Sequence, residues 1–323
     1  MEQNLTRIFT LFGGLALFLY GMDALSHSLE TAAGSRLKSL LAAVTGSPVR
    51  GVLAGAAVTA VLQSSSAVTV MVLGFVSAGL LTLRQAVPVI FGCNIGTTIT
   101  AQLLAFQLED VRGLVLLLCF VCAGRKGRAI GRAVFAFGLL FEGIADMGTA
   151  MEPLAQSPVF VHWLGRVRQH PWLGLLAGLG MTLTVQSSSA TIALLQNFAA
   201  RPGLDGSSLL GLAGALPVLL GDNIGTTITA VLASLSASRD AKRVAAAHAV
   251  FNLTGAAVFC AGLPLYVRLT AALSPKGPEL AVIARQIANA HTLFNVVCTL
   301  VWLPLTPLMV RFVCRLVPDR AVR

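Results

Sequence analysis

The side chains in this chain that are equipped for chemistry come in matched sets. Gln63-Ser64-Ser65-Ser66-Ala67 recurs as Gln186-Ser187-Ser188-Ser189-Ala190, 123 positions on, and Asn94 to Ala101 (NIGTTITA) recurs as Asn223 to Ala230, 129 positions on. Hydroxyls and carboxamides at this density supply hydrogen bonds and oxygen ligands without carrying charge. A helix restarting at Ser64–Ser66 presents free N–H groups and the positive end of its dipole, which makes an anion site without lysine or arginine. The helix end before each break offers free carbonyls, joined by the side-chain oxygens of Gln63, Asn94 and Thr97. Those suit a hard cation such as sodium. No basic residue lies in any of the four runs. An isolated oxyanion at low dielectric is strongly disfavoured, so co-bound cations are expected.

Other chemistries fit the same residues less well. Buried serines with His248 or His291 would suit a hydrolase, but a nucleophile needs a defined hydrogen-bonded base. Three consecutive serines, used twice, single out no nucleophile. An anion channel would use similar helix ends without needing matched cation sites. Serine and threonine also serve as interhelical hydrogen-bonding groups, which accounts for one polar run but poorly for two identical pairs.

The elements that position these runs are written in the composition. Hydrophobic residues make up 56% of the 323 and charged residues 11%, and mean hydropathy is +0.82. Soluble proteins carry roughly twice that charge, so the chain reads as an integral membrane protein. The net charge of +10 sits in short clusters between apolar spans, which fits membrane topology and not nucleic-acid binding. The run 8–25 lacks a small-residue cleavage site and reads as a retained first span. The six cysteines lie in or beside apolar segments; Cys119 and Cys122 have no second pair to complete a metal set, and all six read as small buried hydrophobes.

From Ser47 to Leu62 and from the serine turn to Leu80, each apolar arm is too short to cross about 30 Å of hydrocarbon. Such arms around a polar tip predict a re-entrant hairpin, repeated over 171–200. The spans 86–107 and 208–235 are long enough to cross but are interrupted by glycines flanking Asn94 and Asn223, which predicts helices that stop and restart. Val111–Ala123, 132–150, Arg243–Leu263 and 286–312 supply further spans, the last two sharing His248-x-x-Phe251-Asn252 and His291-x-x-Phe294-Asn295. No soluble domain is expected after 312.

Placing 15 of the 23 basic residues inside gives the direction expected of a membrane protein, with the C-terminus cytoplasmic. Three full spans then separate the hairpins, so the repeats are inverted, the architecture of secondary transporters. The expected fold is all-α, with two inverted repeats, each holding a re-entrant hairpin and a broken helix, plus two C-terminal spans. The units are 1–110, a connecting span and basic loop at 111–130, 131–264, and a tail at 265–323.

Asp222 stands where the first repeat has Cys93. An acid at membrane depth is a functional candidate: it neutralises a cation, carries a proton, or caps a helix. Glu142 and Asp146 are further buried-acid candidates that pair more plausibly with a helix end or a polar neighbour, and the two histidines read more plausibly as packing hydrogen-bonders than as proton carriers. Arg166, Arg168 and Arg285 read as interfacial charges.

The doubled Gln-Ser-Ser-Ser and Gly-x-Asn-Ile-Gly-Thr-Thr runs resemble the type II sodium–phosphate cotransporters, in particular their short bacterial members, as does 233–252. The resemblance implies transport of inorganic phosphate coupled to sodium by alternating access in the bacterial inner membrane, with no organic cofactor. Phosphate would lie on Ser64, Ser65, Ser66, Ser187, Ser188 and Ser189, with Asn94 and Asn223 near. Sodium would be held among Gln63, Ser65, Thr97, Thr98, Gln186, Ser188, Asp222, Thr226 and Thr227. Membrane lipid and a second copy of the chain are the other expected partners. Two departures stand out: the first repeat lacks the His-x-x-Phe-Asn run, and the long disulfide-bearing loop and soluble C-terminal domain of some members are not represented.

Overall fold

A computed structural model describes residues 2–33, 47–106, 128–155, 157–203 and 205–319. Among these residues all regular elements are helices. They are α1 (Glu2–Ala33), α2 (Pro48–Leu62), α3 (Ser65–Ser77), α4 (Leu83–Leu104), α5 (Arg128–Ala155), α6 (Pro158–Gln169), α7 (Pro171–Val185), α8 (Ser188–Ala199), α9 (Gly211–Gly225), α10 (Thr227–Ser234), α11 (Arg239–Ala261), α12 (Leu263–Ala272), α13 (Glu279–Trp302) and α14 (Thr306–Leu316). Five stretches are long and apolar enough to cross a membrane: 5–31, 83–104, 131–150, 211–234 and 239–261. The span expected at Val111–Ala123, with Cys119 and Cys122, lies outside the described residues.

The half-length arms form as their composition predicts. Proline at the first turn of α2 and of α7 opens each helix, where its missing N–H costs nothing. Each helix ends at a glutamine in the left-handed conformation, Gln63 at φ 52° and Gln186 at φ 55°. The next helix begins two residues later on a serine cap: Ser64 Oγ accepts from Ala67 N–H and Ser187 Oγ from Ala190 N–H, both at 3.2 Å.

The first broken helix is a correction. α4 runs unbroken through Gly92–Thr98, and its polar side chains bond back to its own carbonyls. Asn94 Nδ2 donates to Ile90 O (3.0 Å), Thr97 Oγ1 to Cys93 O (3.0 Å) and Thr98 Oγ1 to Ile95 O (2.8 Å). In the second copy the interruption is a single residue, Thr226, which keeps right-handed helical angles. The glycines serve contact, not breakage. A Cβ at Gly92 would sit 2.0 Å from Val52 O, and one at Gly55 2.1 Å from Val89 O. The second copy repeats this crossing almost atom for atom: Gly221 against Leu175 O at 1.9 Å, Gly178 against Val218 O at 1.9 Å. α2 on α4, and α7 on α9, are therefore two castings of one backbone-to-backbone contact, the close approach that small residues permit.

α1 and α5 are joined by the same device. A Cβ at Gly14 would meet Gly143 O at 2.8 Å, and one at Gly143 would meet Gly14 O at 2.6 Å. The expected single span 286–312 is also corrected, because the chain bends by 88° between α13 and α14. α14 turns back so that Arg239 reaches Pro318 O and Arg243 reaches Val317 O (3.0 Å) and Asp319 (2.8 Å). The start of α11 and the end of α14 thus share one end of the molecule.

Candidate functional site

The two serine tips meet. A cavity of about 210 Å³ is lined by Gln63–Ser66 from one tip, Gln186–Ser189 from the other, and Leu19, Met22, Asp23 and Ser26 of α1. Ser64 and Ser187 satisfy the third N–H of their helices, leaving the amides of Ser65, Ser66, Ser188 and Ser189 without partners inside their own helices. Two helix starts therefore aim donors and positive dipole ends at one space, with hydroxyls beside them. No lysine or arginine is in the lining, and Asp23 adds a carboxyl group.

Asp23 and Ser26 are the site residues that sequence reasoning missed. Asp23 was visible as an acid at the end of an apolar span, and Asp146 stands 123 positions after it, but nothing in the sequence brought α1 to the tips. Ser26 Oγ donates to Leu62 O, the carbonyl freed where α2 ends.

The copies differ in how their tips are held. Thr100 Oγ1 donates to Gln63 Oε1 at 2.9 Å, while the Gln63 amide donates to Ala60 O. Thr229 takes the place of Thr100 in the second copy, but its hydroxyl meets Ser66 across the interface (3.3 Å) and Thr226 O (3.1 Å). A closed niche, a crevice without room for a water molecule, lies there, lined by Ser66, Thr182, Gln186, Ser188, Gly225, Thr226, Ile228 and Thr229. Of the residues expected at sodium, the structure brings Gln186, Ser188 and Thr226 together at this niche and puts Gln63 and Ser65 at the tip cavity. Thr97, Thr98 and Thr227 line neither; their hydroxyls bond to carbonyls of their own turn.

Asp222 is buried inside α9, which removes its reading as a helix cap. Thr182 Oγ1 contacts Asp222 Oδ1 at 2.6 Å, Thr191 Oγ1 at 3.1 Å and Gly178 O at 3.0 Å. Asp222 Oδ2 has no partner among the described residues. The first copy has Thr59, Val68 and Cys93 at the positions of Thr182, Thr191 and Asp222, so this carboxyl–hydroxyl cluster exists in one half only.

Asn94 and Asn223 do not line the tip cavity. Each is held by the histidine of a His-x-x-Phe-Asn run: Asn94 Oδ1 by His248 Nε2 at 3.1 Å, Asn223 Oδ1 by His291 Nε2 at 3.2 Å. Because each asparagine's amide nitrogen is committed to its own helix, at Ile90 O and Leu219 O, the oxygen must accept and the histidine must donate from Nε2. Phe251 stacks on Phe91 at 4.9 Å, and Phe294 packs where Gly255 leaves room. The two runs are clamps, α11 on α4 and α13 on α9. Neither histidine hydrogen-bonds to a serine of the tips, which leaves the hydrolase without its base. Glu142 and Asp146 lie partly buried on α5, Asp146 against Gly14. Among the described cysteines, Cys93 and Cys298 are buried and Cys260 and Cys314 partly so, all free.

The chain has relatives among known proteins. It matches the family described as Na+/Pi-cotransporter twice, over residues 17–149 and 143–272. The uncharacterized protein YqeW of Bacillus subtilis is 35% identical over 270 residues, covering 83% of this chain and 85% of that one. The putative inorganic phosphate export protein YjbB of Escherichia coli K12 is 26% identical over 280 residues, covering 84% of this chain and 50% of that one. This chain thus spans about half the length of YjbB. The human sodium-dependent phosphate transport protein 2B is 36% identical over 107 residues, 32% of this chain and 16% of that one. No solved structure matches.

Proposed function

The chain belongs to the Na+/Pi-cotransporter family, a family of transporters and not of enzymes, and from that premise we propose that it carries inorganic phosphate across the membrane in symport with sodium. The observation that carries the proposal is the convergence of two identical serine tips on one cavity that has helix N-termini but no basic side chain. Tetrahedral phosphate docks on the amides and hydroxyls of Ser64–Ser66 and Ser187–Ser189. Its charge, beside Asp23 and far from any lining cation, makes co-binding of sodium a condition for occupancy. Sodium sits in the niche at Gln186, Ser188 and Thr226, with Asp222 behind Thr182 as the balancing charge.

In this reading each helix pair around a tip is a re-entrant hairpin, and the two copies are inverted repeats that rock about the tips in alternating access. The difference between the copies supports it: Gln63 is latched by Thr100 and α2 by Ser26, while the second tip lacks both bonds among the described residues. Such a difference is what one conformer of a two-state carrier with twofold-related halves would show. The name of YjbB states export of that protein; for this chain the direction follows the gradients.

The test is radiolabelled phosphate flux in proteoliposomes, measured in both directions, with a sodium gradient against a potassium gradient. Uptake should require sodium and vanish in the Gln63→Ala/Gln186→Ala double variant. Equal flux in potassium, from folded protein, would overturn symport in favour of an anion channel or a sodium-independent carrier.

A further inference from the structure

A second cavity, of about 230 Å³, lies at the base of the second hairpin, between α4, α5, α8 and α13. It is about two turns along α8 from the serine tip, since Ser188 and Asn197 belong to the same helix. Three polar side chains line it: Gln196, Asn197 and Arg201. Their roles are fixed by their surroundings. Gln196 is 4% exposed, and its Nε2 donates to Ala101 O (3.0 Å) and Ala284 O (3.2 Å). Turning the amide over would set its oxygen against two carbonyls, so Oε1 is the free acceptor, and it has no partner among the described residues. Asn197 Nδ2 likewise donates to Ile144 O, which leaves Asn197 Oδ1 buried and unpartnered.

Arg201 is delivered by design of the backbone. Its N–H bonds to Phe198 O (3.2 Å) and its carbonyl accepts from Leu209 N–H (3.1 Å), which fixes the turn that carries it. Its guanidinium lies over Gly148, where a Cβ would stand 2.0 Å from an Arg201 Nη and about 3 Å from both Asn197 amide atoms. Among the described residues it makes no ion pair. The cavity therefore joins a cation with several donors to two acceptors that need donors. A ligand that fits both is an oxyanion that still carries a proton. Phosphate at neutral pH does; sulfate does not. The first hairpin has Leu73, Gly74 and Ala78 where the second has Gln196, Asn197 and Arg201, so the feature belongs to one end of the path only.

We propose that this cavity is a second phosphate-group site, which captures a protonated phosphate on Arg201, Gln196 and Asn197 before or after its stay at the serine tips. The site deepens the transport reading and rests on it. A phospholipid headgroup carries the same chemistry, and the experiment separates the two sources.

The full chain is purified in detergent, stripped of lipid, and titrated with radiolabelled inorganic phosphate in sodium buffer. The Gln63→Ala/Gln186→Ala protein, with its tip site disabled, should still bind phosphate. Adding Arg201→Gln should weaken that residual binding about tenfold or more, as expected for a lost charge-assisted hydrogen bond, with Arg201→Lys in between. Arsenate should compete and sulfate should not. Residual binding indifferent to Arg201→Gln in a folded protein, or sulfate competing equally, overturns the site while leaving the tip reading intact. Wild-type protein that binds no phosphate at all sinks the transport reading instead. In that event, Arg201-dependent binding of a short-chain phosphatidate assigns the cavity to a lipid headgroup, and its absence removes the site altogether.

Discussion

At the scale of the residue, position within a duplicated frame says more than residue type. Gln63 and Gln186 hold a left-handed conformation that glycine would adopt at less cost. Keeping a carboxamide there in both copies indicates that the side chain is needed at the tip, and Thr100 shows one use of it. Asp222 is the chief break in the symmetry. Ionised, it would have one hydroxyl contact and one bare oxygen, a costly arrangement unless a cation joins it. Asp222→Asn preserves the shape and the Thr182 contact but removes the charge. It should raise the sodium concentration for half-maximal uptake by about tenfold, roughly 1.4 kcal/mol, with a smaller change for phosphate. An unchanged sodium response in flux assays would remove Asp222 from the cation site.

At the scale of the element, the glycines where the Asn-Ile-Gly-Thr-Thr helices cross the arms α2 and α7 set the geometry by what they omit. Gly55, Gly92, Gly178 and Gly221 allow two pairs of helices to touch through their backbones, and each tip hangs from one such pair. Gly92→Val or Gly221→Val would drive a side chain into a carbonyl about 2 Å away. Overpacking of this kind costs on the order of 1–3 kcal/mol or more. The expected result is a lower melting temperature in detergent and loss of transport. A variant that melts like wild type would mean that the crossing tolerates separation. Gly13 and Gly165 meet nothing within 4 Å where a Cβ would stand and serve as controls.

At the scale of the whole molecule, the halves meet through several polar contacts, among them Asn94 with His248, Ser66 with Thr229 and Ser77 with Ser238. Ser77, at the foot of the first hairpin, shares a hydrogen bond of 3.2 Å with Ser238, the cap of α11. If the halves rock, this contact should break in the opposite state. Ser77→Cys/Ser238→Cys, cross-linked by oxidant, should stop sodium-driven uptake and recover it on reduction. Full uptake with the cross-link verified on a gel would mean that this contact does not move in the cycle.

The sequence by itself determined the membrane class, the duplication and the tips. Apolar span lengths and exact repeats are local properties that survive without coordinates, and half-length arms around Gln-Ser-Ser-Ser could only be helix, turn, helix. It misjudged the Asn-Ile-Gly-Thr-Thr run because glycine has two uses. Read along one chain, Gly92 and Gly96 look like breakers; only the partner helix shows them as contact points. In the same way Asn94 and Asn223 were expected at the ligand, and the structure commits them to His248 and His291, more than 60 residues away. Asp23 and Ser26 entered the site because α1 crosses α5 through Gly14 and Gly143. That the two tips share one cavity, that Thr182 joins Asp222 to Thr191, and that Arg201 lies over Gly148 were decided by tertiary structure. Each depends on which surfaces meet across long separations in sequence, and no local pattern records that.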